Sequence, residues 1–269
     1  MNLNLEGKVG IVTGSARGIG RAIALALAGE GVKVVIDDID LEAAKLVEEQ
    51  AIKSGGEAMA IRADVTKPDE VSQMVRTTLN RFNKIDILVN NVGILYVEGK
   101  PVAYELFTNS TEDDWRAILD VTLSGVLNCS KAVLEAMLKQ KSGNIINIAS
   151  DVPKGPQRNC ISIYSAGKGG IISFTKNLAF ELGPSGIRVN CVSPGKIRTT
   201  RMEMIETEAE KRPEVIKFVE VTNELLKRQP ISRVGNPQDI ANMVIFLASD
   251  VSSYITGQTF HVNGGRFMA

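Results

Sequence analysis

Histidine occurs once in the 269 residues, at His261. A metal centre built on imidazoles, or a Ser-His-Asp triad, would have to rest on that one side chain, and it is read as structural. Cysteine occurs three times, at Cys129, Cys160 and Cys191, an odd number without metal-ligand spacing. Such usage points to reduced thiols and a cytoplasmic protein. Neither sign of charge is in excess: 31 acidic and 31 basic residues cancel, so no electrostatic footprint for nucleic acid or an anionic membrane exists. No apolar run approaches the ~20 residues that cross a bilayer, and no signal-peptide pattern opens the chain. Repeats, low-complexity tracts and linkers are also lacking, so residues 1–269 are read as one domain. The 44% hydrophobic content suffices for a sizeable core.

The stretch that organises the chain reads Lys-Val-Gly-Ile-Val-Thr-Gly-Ser-Ala-Arg-Gly-Ile-Gly-Arg, from Lys8 to Arg21. Val9 to Val12 is a short apolar run with the look of a buried strand. Gly14, Gly18 and Gly20 then make a tight loop, and Arg21 to Gly29 is rich in good helix formers. Glycine leaves no Cβ in the way of a bulky anion, and a helix N-terminus offers unpaired N–H groups and a positive dipole end. Together they suit the diphosphate of a dinucleotide. The spacing Gly-x-x-x-Gly-x-Gly is neither the Gly-x-Gly-x-x-Gly fingerprint nor a P-loop. From this loop alone, a βα turn with glycines for close packing stays open.

Downstream, Val32 to Ile36 is a second strand, ending in Asp37 and Asp38 about twenty residues past the loop, where a carboxylate accepts hydrogen bonds from an adenosine ribose. Asp38 is the chosen one of the pair. It repels a 2′-phosphate and favours NAD over NADP; Arg17 argues weakly the other way. Leu41 to Ser54 is a helix with Asp40 as its N-cap. Ala58 to Ala63 is a strand followed by Asp64 and Val65, which suit an adenine ring; a plain turn role for Asp64 stays open. Pro68 to Phe82 is a helix with proline in its first turn. Ile85 to Val89 is a strand that stops at Asn90-Asn91-Val92-Gly93. The order βαβαβαβ, with strands lacking clean alternation, implies a parallel sheet covered on both faces. The Gly loop, Asp38, Asp64 and Asn90 all fall at the C-terminal strand edge, where ligands sit in such sheets.

Residues 94–110 are irregular and carry Tyr96, Tyr104 and Phe107, either as a substrate mouth or as a surface loop packing its own aromatics. Thr111 to Lys139 reads as one long helix. Asn144 to Ile148 is a fifth strand ending at Ser150. Ser162 to Leu182 is a helix carrying Tyr164-Ser-Ala-Gly-Lys168. Residues four apart share a helix face, so the phenol and the ammonium address one point in space. An ammonium about 4 Å away, at an effective dielectric near 20, favours the phenolate by roughly 4 kcal/mol before desolvation is subtracted. That moves a phenol from a pKa of ~10 towards the range where it gives or takes a proton near neutral pH. Ser150 is placed to hydrogen-bond the same substrate oxygen. Ile187 to Val192 is a sixth strand broken by Pro194-Gly195. Residues 199–228 look like a helical pair interrupted by Pro213, Pro237 to Ala248 is a helix, and Gln258 to Val262 is the last strand.

These markers, Thr13-Gly14-x-x-x-Gly18-x-Gly20, Asp38, Asp64, Asn90-Asn91-x-Gly93, Ser150, Tyr164-x-x-x-Lys168 and Ser193-Pro194-Gly195, resemble the short-chain dehydrogenases/reductases over essentially the whole length. The resemblance implies a single doubly wound Rossmann-type α/β domain with a seven-stranded parallel sheet. It implies Tyr164 as the acid/base, Ser150 as the residue that positions the substrate oxygen, and Lys168 as the group that binds the nicotinamide ribose and lowers the Tyr164 pKa. Gly14, Arg17, Gly18, Ile19, Gly20, Asp38, Asp64, Val65, Asn91, Gly93, Pro194, Gly195, Ile197 and Thr199 are the implied cofactor contacts, residues 199–228 a substrate lid, and a homotetramer or homodimer paired through the long helices the implied assembly. Two departures stand out. Thr122 occupies the position of an asparagine thought to hold a water in a proton path, and Thr122 is kept as a candidate catalytic residue with fewer donors. Val92 replaces a smaller alanine.

The reading that results is an oxidoreductase moving a hydride between NAD and the carbon of a secondary alcohol or ketone. The small-molecule substrate is expected to be apolar and cyclic or acyl: a hydroxyacyl thioester, a cyclic alcohol or a steroid. Two rivals remain: a non-catalytic dinucleotide-binding regulatory protein, and a dehydratase or epimerase on the same scaffold.

Overall fold

The computed structural model describes residues 2–93, 107–154, 161–209, 223, 224 and 226–268. Seven strands lie in one sheet: β1 (Val9–Thr13), β2 (Lys33–Asp37), β3 (Ala58–Ile61), β4 (Ile87–Asn90), β5 (Gly143–Ile148), β6 (Ile187–Pro194) and β7 (Thr259–Val262). Every pairing is parallel, in the order β3-β2-β1-β4-β5-β6-β7. The unalternating apolar strands lead to a parallel sheet, and its Rossmann-type, seven-stranded form is the one the family resemblance implies.

Alternate residues of each strand serve opposite layers. Val12, Val34 and Ile36 meet Ile23 and Leu27 of α1 (Gly18–Gly29), Val47 of α2 (Leu41–Lys53) and Val244 and Leu247 of α8 (Pro237–Ala248). Ile11, Val35, Leu88 and Ile145 meet Met74 of α3 (Pro68–Phe82), Val133 and Met137 of α5 (Gly125–Gln140) and Leu178 of α6 (Ser162–Leu182). Chain direction across the sheet reverses between β1 and β4, which opens a crevice above their C-terminal ends.

Several boundaries differ from those read in the sequence. Helix α1 starts at Gly18, not Arg21, because Arg17 is extended (φ −146°) and serves as N-cap, so Gly18, Ile19 and Gly20 form the first turn. Strand β2 runs one residue later than expected and ends on Asp37 itself; β3 stops at Ile61; β4 begins at Ile87; β6 continues through Pro194, which pairs with Val262. The long helix over residues 111–139 is three pieces: α4 (Glu112–Leu119), a π-helical turn (Asp120–Ser124) and α5. A π turn admits one extra residue. Here it lies between two close approaches: a Cβ on Gly125 would meet Val65, and a Cβ on Gly167 of α6 would meet the Thr122 hydroxyl.

By length and mean hydropathy the run Glu112–Gln140 would reach across a bilayer, against expectation. Its buried face is nevertheless spent on the sheet, through Val126, Cys129, Val133 and Met137, and core helices pass the same test. Of the loop 94–110, residues 94–106, with Tyr96 and Tyr104, lie outside the described residues. Phe107 stacks on Trp115 of α4 at 5.2 Å, and the indole donates to Ser110 Oγ, so this aromatic packs against the helix that follows the loop. Of the expected lid, α7 (Thr200–Ala209) is described; Pro213 lies outside.

Candidate active site

The Gly loop is built from backbone. Gly14 and Gly18 take positive φ, 60° and 56°, a conformation costly for any residue with a side chain. No side chain caps the N-terminus of α1 and no acid sits in its first turn. A Cβ on Gly20 would collide with the Gly14 carbonyl oxygen and lie 2.5 Å from Asn91 Nδ2. The loop is closed by Asn91, whose amide donates to the carbonyls of Thr13 (3.0 Å) and Gly14 (2.9 Å), while Thr13 Oγ1 accepts from the Asn91 N–H. The cradle is thus shaped by missing side chains, and it fits a dinucleotide diphosphate. Gly20→Ala is expected to destabilise the fold by about 3 kcal/mol and to weaken binding of a reduced nicotinamide dinucleotide more than tenfold, read by thermal denaturation and fluorescence titration.

Asp38 is half-buried beside the loop. Its Oδ2 accepts from the Ala16 N–H at 3.0 Å and its Oδ1 from the Asp40 N–H at 3.1 Å. Arg17 turns to Asp40, at 2.6 Å across a half-exposed pair. Asp64 Oδ1 accepts from the Thr66 N–H and hydroxyl, which ties the turn into α3. Val65 is buried, and its carbonyl accepts from Asn128 of α5.

Asp37, not chosen in the sequence, is the unusual acid. It is 1% exposed; its Oδ1 accepts from the Ala63 N–H, and its Oδ2 has no partner. Burial, then the charges of Asp38, Asp64 and Glu70, push its carboxyl well above the ordinary range. Because the folded state holds this proton more tightly than the unfolded one, the stability it contributes is full below the ordinary carboxylate value and is lost as pH rises through the raised one. Asp37→Asn is therefore expected to gain stability over the parent as pH rises above the ordinary carboxylate range, checked by urea denaturation at pH 5 and pH 8.

At the ends of β4 and β5 a polar chain runs through the interior. Asn90 Nδ2 donates to Ser130 Oγ and Asn147 Oδ1, Asn147 Nδ2 donates to Thr175 Oγ1, and Thr175 donates on to the Ile171 carbonyl. This network braces β4, β5, α5 and α6 beneath the crevice. Only polar residues interrupting apolar strands hinted at it.

Lys168 projects from α6 into that floor. It is 2% exposed, and its Nζ donates to the Ile148 carbonyl at 2.8 Å. The same ammonium stands 5.8 Å from the centroid of the half-buried Tyr164 ring and 3.2 Å from where a Cβ on Gly93 would lie. Ser150, 8% exposed, follows β5, and its Oγ accepts from the Val152 N–H at 3.3 Å. Thr122 is fully buried against α6, and its hydroxyl donates to the Ile118 carbonyl at 2.6 Å. On the other side of the crevice, the Gly195 N–H donates to the Val262 carbonyl, Ile197 bridges to Gly235, and Thr199 lies over Gly18. The fold thus gathers at one sheet edge segments that are far apart in the chain.

Cys129 and Cys191 are free and buried. Burial pushes both thiols up, Cys191 to about 11, so neither offers a thiolate. Burial and then Lys154 lower the His261 pKa, and its Nδ1 is buried without a hydrogen-bond partner. Among the described residues no group of three or more His, Cys, Asp or Glu is placed to hold a metal ion.

A Gly-rich βα turn at the switch point of a parallel sheet, with a Tyr/Lys pair beside it, defines a dinucleotide-dependent oxidoreductase. Residues 14–266 match the family described as enoyl-(acyl carrier protein) reductase. A 3-oxoacyl-[acyl-carrier-protein] reductase of Synechocystis is 43% identical over 98% of each chain, and one of Staphylococcus epidermidis is 40% identical over 97% of this chain and 99% of its own. The solved structure of a 7α-hydroxysteroid dehydrogenase, complexed with NADH and 7-oxo glycochenodeoxycholic acid, superposes with a TM-score of 0.86 at 33% identity, covering 98% of this chain and 96% of its own. The chain belongs to the short-chain dehydrogenase/reductase family.

Proposed function

We propose that the protein is an NAD(H)-dependent enzyme that interconverts a 3-hydroxyacyl and a 3-oxoacyl thioester. The observation that carries the chemistry is the buried Lys168 ammonium, fixed on the Ile148 carbonyl beside the Tyr164 ring and Gly93. Gly14, Gly18, Ile19 and Gly20 would hold the diphosphate, Asp38 the adenosine ribose, Asp64 and Val65 the adenine, and Asn91, Gly93, Pro194, Gly195, Ile197 and Thr199 the nicotinamide half; a bound nicotinamide supplies or accepts the hydride. Tyr164 gives a proton to the ketone oxygen in reduction and takes it back in oxidation. Lys168 keeps the phenolate accessible by its charge, and Ser150 holds the same oxygen by a hydrogen bond. Thr122, in the π turn facing Gly167, the residue before Lys168, is the candidate relay residue.

NAD over NADP is supported by the Asp38 carboxylate beside the loop and by Arg17 being spent on Asp40. The acyl thioester is supported by the 43% and 40% identical relatives. A steroid ketone is the second reading, favoured by the 7α-hydroxysteroid dehydrogenase likeness. Buried free thiols fit the reducing cytoplasm. Phe180 of α6, 89% exposed, with Leu127 and Leu138 of α5, also exposed, supports a homotetramer or homodimer paired through these helices. The test is an absorbance assay at 340 nm with acetoacetyl-CoA, the acetoacetyl thioester of an acyl carrier protein, and a 7-oxo bile acid, each with NADH and with NADPH. Turnover of the thioesters with NADH is expected; turnover of the bile acid alone would move the assignment to steroids. Binding of NADH without turnover of any ketone would favour a regulatory protein.

A further inference from the structure

Ser150 has little local support. Its hydroxyl meets the next turn at 3.3 Å, and the backbone there is anchored by the Asp151 N–H donating to the Pro194 carbonyl at 3.1 Å. Asp151 itself is buried, and so is Arg266, from the segment that follows β7: their side chains are 3% and 6% exposed, with Arg266 Nε 3.8 Å from Asp151 Oδ2. Asp151 Oδ2 and Arg266 Nε and Nη2 have no hydrogen-bond partner. The guanidinium lies 5.3 Å from the Phe267 ring centroid. An ion pair this deep is costly beside a well-packed apolar pair, so stability is a weak reason for it. Position is a better one. The segment of Arg266 is folded onto Asn263, which accepts from the Gly265 and Arg266 N–H groups and donates to the Phe267 carbonyl. Gly264 in turn accepts from the Ile231 N–H, and Ile231 and Arg233 accept from Gln229. One chain of contacts therefore runs from the turn carrying Ser150, through Asp151 and Arg266, to the residues where the chain returns from the lid region.

We infer that the Asp151–Arg266 pair is a positioning device for Ser150, fixing the serine turn to the segment after β7 and so to the base of the lid. This rests on Ser150 holding the substrate oxygen. Asp151→Asn and Arg266→Gln are expected to lower kcat with acetoacetyl-CoA about tenfold, to raise its KM, and to leave the NADH dissociation constant within twofold. Arg266→Lys, which keeps the charge and loses the fork, should recover part of kcat. Hydrogen exchange measured without substrate should rise together in residues 149–154 and 263–268 of Arg266→Gln. Variants that lose thermal stability but keep kcat and KM within twofold would overturn the inference, as would faster exchange confined to residues 263–268. If the parent turns over none of the ketones, the proposed function falls, and exchange alone decides the latch.

Discussion

Tyr164→Phe will lower kcat by about a thousandfold or more, the size of a lost general acid, with the NADH dissociation constant changed less than threefold. Phenylalanine keeps the ring, and the ring is what Lys168 Nζ faces at 5.8 Å. The Lys168 bond to the Ile148 carbonyl and the Asn90–Asn147–Thr175 chain do not run through the Tyr164 side chain. The substitution removes the hydroxyl that, in the proposed mechanism, exchanges a proton with the substrate oxygen. Such a loss falls on kcat and kcat/KM equally, the signature of an interaction made in the transition state. Stopped-flow single turnover with saturating NADH separates it from slow product release. Unchanged turnover in this variant would sink the proposed mechanism outright.

Asp38→Ser will move the dinucleotide preference, raising kcat/KM with NADPH about a hundredfold. A 2′-phosphate carries close to two negative charges. At about 5 Å from the Asp38 carboxylate, with an effective dielectric near 40 for a half-exposed site, repulsion is roughly 3 kcal/mol. Removing it is worth on the order of a hundredfold. Serine can accept from one of the two N–H groups that Asp38 now satisfies, those of Ala16 and Asp40, and leave the other for a phosphate oxygen. Arg17 would also regain a reason to leave Asp40, a half-exposed pair of small worth. In the proposed binding mode the cost is on the NADH side, where the ribose would lose its acceptor, and kcat/KM should fall about tenfold. A parent enzyme that already used NADPH as well as NADH would contradict the role given to Asp38.

Much of this architecture was legible because it is written locally. Strands buried on both faces need continuous apolar runs, and Val9–Val12, Val32–Ile36 and Ile85–Val89 supply them within a residue or two of the observed strands. The end of α8 at Ala248 and its proline start at Pro237 were equally plain. The start of α1 was not, since glycines in a first turn look like loop until the extended Arg17 before them is known. Nor was the π turn at Asp120–Ser124, because the sequence around it keeps a helical pattern, and the turn widens to fit Val65 on one side and α6 on the other.

Sequence by itself determined the parallel sheet, the glycine cradle and the presence of a tyrosine and a lysine one helical turn apart, since each follows from backbone freedom or from periodicity within a short window. Tertiary structure alone decided that Asp37 would be sealed in with its second oxygen unpartnered, that Arg17 would answer Asp40, that Asn128 would hold Val65, and that Asp151 would meet Arg266. These are meetings between distant segments, set by how helices settle on the sheet, and no local pattern in the chain encodes the charge and desolvation that result.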